Sequence, residues 1–188
     1  MTRLLTFTLS IFILTSSFGN IGDDKIDPKK FDHNLYEKVL LLKINAYRKE
    51  KGIGPLMSNT IIYKVAADQN TFLKTKSEIT HDQPTAGKKN VQQRLVSYIN
   101  VKSYSVTENI ARTFVLRNTQ NYLRNGSTKK SVATTYNEAA TYMLNAWIAS
   151  DFHNKNLINP NYQLSGIASY LNPQNYSLTA VQVFATIK

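Results

Sequence analysis

Two imidazoles and one carboxylate stand where a cleft could gather them. His81 comes just after a long apolar-periodic segment, Glu108 lies between Val106 and Ile110, and His153 lies in the stretch 147–161 with Ser150 and Asn154. Neutral imidazoles and a carboxylate can share a proton, or hold a borderline metal such as zinc with a position left open for water. Glu108 can instead act one step back, orienting one imidazole through its second nitrogen. A third chemistry uses Ser150 as nucleophile and His153 as base. The two are only three positions apart and the chain has no Gly-x-Ser-x-Gly elbow. Ser150 reads more simply as a cap or turn at a helix end. The chemistry-free alternative is a hydrogen-bonded cleft that only stiffens loops. In either case Asn109 and Asn154 are expected to fix those loops through backbone hydrogen bonds.

The elements that must position these residues follow from periodicity. Asn34 with Glu37 three positions on suggests a capping box, and Leu35, Val39, Leu42 and Ala46 form the stripe of a first helix ended by Gly52 and Gly54-Pro55. Ser58 or Asn59 opens a second helix running to about Lys76, with Ile62, Val65, Ala66, Gln69 and Leu73 inward. Residues 87–100 predict a short helix with Arg94 on its polar side. Residues 106–110 are a short apolar-flanked segment, in which Glu108 must be paired or functional. Asn137 is expected to cap a helix carrying Ala139, Tyr142, Met143, Ala146 and Trp147 on one face. Trp147, the only Trp, then anchors a loop holding His153 at the cleft rim. Residues 163–171 and 177–187 predict two strands, with Gly166 marking a close backbone approach. The last strand is apolar on both faces and must be covered on both. The expected fold is therefore α+β, a three-layer α/β/α sandwich.

Composition narrows the setting. Leu4 to Leu14 is an apolar run after Arg3, followed by the small residues Ser17 and Gly19, so residues 1–19 read as a secretory signal. The run is too short to span a bilayer, and no transmembrane span is expected in the mature chain. Residues 20–33 read as a polar N-terminal linker, with no role for His33, and residues 34–188 as the domain. There is no Cys, hence no disulfide, which suits a bacterial secreted or periplasmic protein. The net charge of +11 favours anionic partners such as an envelope polymer, and export argues against nucleic acid. Residues 112–136 hold five basic residues and no acid, with a hairpin signal at Asn125-Gly126. They read as a solvated basic excursion, or more sharply as a docking surface for an anionic polymer or membrane.

In order, these pieces resemble the CAP superfamily of cysteine-rich secretory proteins, antigen 5 and pathogenesis-related proteins (SCP-like domains), in its bacterial cysteine-free branch. The resemblance rests on Ile44-Asn45-x-x-Arg48, Pro55-Leu56, Ala66-Ala67, His81, Arg94-Leu95, Glu108-Asn109-Ile110-Ala111, Trp147-x-x-Ser150-x-x-His153, Gly166-Ile167-Ala168 and a last strand with Val181-Gln182-Val183-Phe184-Ala185. It implies a mainly antiparallel central sheet, with an insertion at about 112–136. It also implies a cleft built from His81, His153 and Glu108, with Ser150 where animal and plant members carry a second acid. The function it implies is a non-enzymatic extracellular binding module for a lipid, glycan or protein. His81 and His153, with Glu108 as a third candidate, would be able to hold zinc. The alternative is a metal-dependent, protease-like hydrolase using the same cleft.

Overall fold

The computed structural model describes residues 21–123 and 126–188; the expected signal, 1–19, lies outside them. Helix α1 (His33–Glu50) is followed by a two-residue strand β1 (Met57–Ser58), then α2 (Thr60–Leu73) and α3 (Val91–Tyr98). Strand β2 (Tyr104–Phe114) leads to the pair β3 (Leu116–Leu123) and β4 (Gly126–Ala133). Helices α4 (Tyr136–Ile148) and α5 (Asp151–Leu157) and strands β5 (Leu164–Leu171) and β6 (Ser177–Ile187) complete the chain.

The central sheet has the order β1-β5-β6-β2, antiparallel except for the short β1–β5 contact. Side chains on β6 alternate. Leu178, Ala180 and Phe184 enter one core with Tyr36, Leu40 and Ile44 of α1 and Met143 and Trp147 of α4. Val181, Val183 and Ala185 enter a second core with Ile62, Val65 and Ala66 of α2 and Leu95 of α3. Helices thus cover both faces, and the fold is an α/β/α sandwich. Gly166 of β5 lies against α2, where a Cβ would come 2.1 Å from the Tyr63 backbone nitrogen.

Several local expectations change. Asp32, rather than Asn34, caps α1 by accepting from Leu35 N at 2.9 Å, which frees Glu37 to reach Ser169 on β5. Thr135, rather than Asn137, caps α4, in a reciprocal box with Glu138. The second helix ends at Leu73, short of Lys76. The segment around Glu108 is the middle of an eleven-residue strand paired with β6 along its whole length. The stretch after Trp147 is not a loop but the helix α5. Arg94 is fully buried and not on a polar face. The first residues of the expected insertion, 112–114, belong to β2, most of the rest forms β3 and β4, and its end, Thr135 and Tyr136, opens α4. Leu123 pairs with Gly126 at the tip of the β3–β4 hairpin, and Asn125 lies outside the described residues. Within the expected linker, Lys25 bridges to Thr135 and Ile26 is buried in the core.

Candidate functional site: a histidine cleft across a sheet edge

β2 is an edge strand, and its alternation places Glu108 on the α2–α3 face and Asn109 on the α4–α5 face. Each holds one wall of a cleft. Glu108 Oε1 pairs with His81 Nδ1 at 2.9 Å. Its Oε2 accepts from Arg94 Nη2 at 2.7 Å, with both side chains sealed from solvent. Arg94 Nη1 also donates to the His81 carbonyl at 3.3 Å, so the guanidinium clamps both the carboxylate and the loop that carries His81. On the other wall Asn109 Nδ2 donates to the His153 carbonyl at 3.0 Å, and Asn109 Oδ1 accepts from Asn156 at 2.8 Å. Asn154 Oδ1 accepts from Tyr47 OH of α1 at 3.0 Å.

The two imidazoles lie close enough to interact electrostatically. Burial lowers the His153 pKa, and the charge of His81 lowers it further, so the His153 ring is neutral at pH 7. His81 is about half exposed. With Nδ1 tied to Glu108, its Nε2 is the nitrogen left for a ligand. Phe152, next to His153 in α5, is 73% exposed. Ser150 stands at the N-terminus of α5 without capping it through its side chain, and no hydrogen bond joins it to His153. The cleft residues therefore come from a loop, a strand and a helix.

Zinc is a poor match for this donor set. Structural and catalytic zinc sites use three or four protein ligands. Here Glu108 has one oxygen on His81 and the other on Arg94. That leaves two imidazoles, and among the described residues no group of three or more His, Cys, Asp or Glu is arranged to hold a metal ion. The set does not fit a three-ligand hydrolytic centre.

Two residues of this site escaped the sequence pattern. Arg94 looked solvent-facing on a short amphipathic helix, although a carboxylate flanked by Val106 and Ile110 required a partner. Asn156 gave no signal of its own.

Comparison with known proteins agrees with this fold. A profile of the cysteine-rich secretory protein family (CAP) matches residues 41–184. YkwD of Bacillus subtilis, an uncharacterised protein, is 25% identical over 134 residues, covering 71% of this chain and 42% of its own length. An outer surface protein of Borrelia burgdorferi superposes with a TM-score of 0.60 at 21% identity, covering 89% of this chain and 99% of that one. An extracellular SCP-domain protein of Bacillus anthracis gives a TM-score of 0.58 at 20% identity, covering 86% of this chain and 44% of its own. These structures share the fold, and the family profile spans most of the sequence. The chain belongs to the CAP family, in a form that carries no cysteine at all.

Proposed function

We propose that this protein is an exported, envelope-side binding module that uses the cleft between His81 and His153 to contact an extracellular ligand without transforming it. One observation carries the reading: Glu108, the carboxylate of the cleft, is fully engaged by Arg94 and His81. A general base must be free to take a proton, and a metal ligand must be free to coordinate. A carboxylate held by a buried guanidinium is neither. What faces outward is His81 Nε2, the neutral His153 ring and the exposed Phe152, a surface suited to hydrogen bonding and apolar contact. The outer-surface and extracellular settings named for two similar structures support export. Lipid, glycan and protein all remain eligible as ligand, and the basic β3–β4 hairpin would favour an anionic envelope polymer nearby.

The test pairs calorimetry with a cleavage assay. Zinc is titrated into the protein and into His81→Ala and His153→Ala. A casein-peptide mixture is then incubated with each in the presence of zinc and read by mass spectrometry. The expected result is no saturable one-site isotherm at micromolar zinc and no cleavage that depends on either histidine. A one-site isotherm abolished by both substitutions, with cleavage lost in parallel, would replace the binding module with the metal-dependent hydrolase.

A further inference from the structure

A second concavity lies away from the histidine cleft. Between α1, the first turn of α2 and the outer edge of β5 is a groove of about 430 Å³. Leu41, Leu42, Tyr63 and Ile167 give it apolar walls. Leu42 is 52% and Tyr63 40% exposed, so this apolar surface is open to solvent. Glu37 stands in the same wall. Its Oε1 accepts from Ser169 N and from Ser169 Oγ, both at 2.8 Å. Among the described residues no Lys, Arg or His forms an ion pair with it. Burial pushes its pKa up to about 7; the Ser169 bonds oppose the rise and the charge of Asp32 adds to it.

A mostly buried carboxylate without a cation is anomalous in a chain of net charge +11. Cations are abundant, yet none of the described ones forms an ion pair with it. Helix α1 would form as well with Gln at this position, since Glu and Gln differ little in helix propensity. Among the described residues the carboxylate has no paired counter-charge, and the groove beside it offers apolar contact and open access.

We propose that this groove binds a small cationic amphiphile, an alkylammonium-type molecule whose ammonium pairs with Glu37 and whose apolar body lies along Leu41, Leu42, Tyr63 and Ile167. The site is independent of the His81–His153 cleft. The charged and titratable groups around Glu37 are Asp32 and His33 at the start of α1, Lys38 beside it on α1, and Tyr63 of α2. Lys74 lies near enough to act on His33. Lys38 lines the rim, where its stem can lie on apolar surface while its ammonium turns to water. An anionic amphiphile would need the opposite arrangement, with Glu37 protonated and Lys38 turned inward.

The experiment titrates the isotopically labelled protein with decylammonium, decanol and decanoate below their micelle concentrations and follows backbone amide shifts. Decylammonium is expected to bind most tightly, with shifts centred on Glu37, Tyr63, Ser165 and Ile167. Its affinity should rise about tenfold from pH 6 to pH 8 as the carboxyl ionises. Glu37→Gln should lose that pH dependence and about tenfold in affinity at pH 8, while decanol binding is unchanged. Leu42→Ala, at a half-exposed position that leaves the fold intact, should weaken binding about threefold. His81→Ala and His153→Ala should have no effect. Three results would overturn the proposal: decanoate binding better, with affinity falling as pH rises; Glu37→Gln binding decylammonium like the parent; or no saturable shift in this groove at any pH. The pH profile and Leu42→Ala decide the matter even if Glu37→Gln folds poorly.

Discussion

Arg94 and Glu108 are both sealed from solvent, so neither charge has water to fall back on if the other is removed. Arg94→Ala would leave a carboxylate buried behind His81 and should cost about 3–5 kcal/mol in chemical denaturation. His81→Ala removes a half-exposed ring and should cost less than about 1 kcal/mol. If the two losses were equal, the cleft would be one cooperative unit and not a buried clamp carrying an exposed ligand group. The same contrast governs what could be read in the sequence. Glu108 was legible as a residue needing a partner because apolar neighbours flank it on both sides. Arg94 was not legible as that partner. A short helix shows its apolar stripe, but periodicity does not reveal a long side chain that passes from the helix into the interior.

At the scale of elements, the tightest constraint is the contact between α2 and β5. Gly166 brings the strand so close that a Cβ there would penetrate the Tyr63 and Ile62 backbone. Helix backbone cannot yield by that much without repacking the second core, so Gly166→Ala should lose about 3 kcal/mol or more, seen as a lowered melting temperature. The strand and its glycine were both legible in the sequence, because a Gly inside an apolar alternation marks a bulge or a close backbone approach. The capping residues were less legible. Asp32 and Asn34 both suit an N-cap; Asp32 takes that place, and Glu37 is held instead by Ser169, a β5 residue more than a hundred positions later. Helix α5 was missed for a similar reason. Its seven residues carry little apolar period, and Asn109 of β2 holds it in place through the His153 carbonyl and Asn156.

Across the whole molecule, proton binding links these sites to stability. The Glu37 carboxyl titrates near 7 in the folded chain against an ordinary 4.5. Its contribution is therefore full below pH 4.5 and is lost as pH rises through 7, a swing of about 3 kcal/mol. His33 and His153 are both lowered, chiefly by burial. The folded state resists protonating them, so their contribution is full above pH 6.5 and declines as pH falls below it. In the parent the two trends partly cancel. Glu37→Gln should expose the histidine slope, losing stability on acidification from about pH 7 to pH 5 more steeply than the parent in urea titrations across that range. The bond from Ser169 N to Glu37 has a further consequence. β1 covers only Leu164 and Ser165 of the outer side of β5, and the Ser169 amide points out beyond it. The Glu37 side chain thus occupies a place that a neighbouring strand would otherwise take. Such a plug protects the sheet, because an unplugged strand can recruit its own copies, edge to edge, into aggregates.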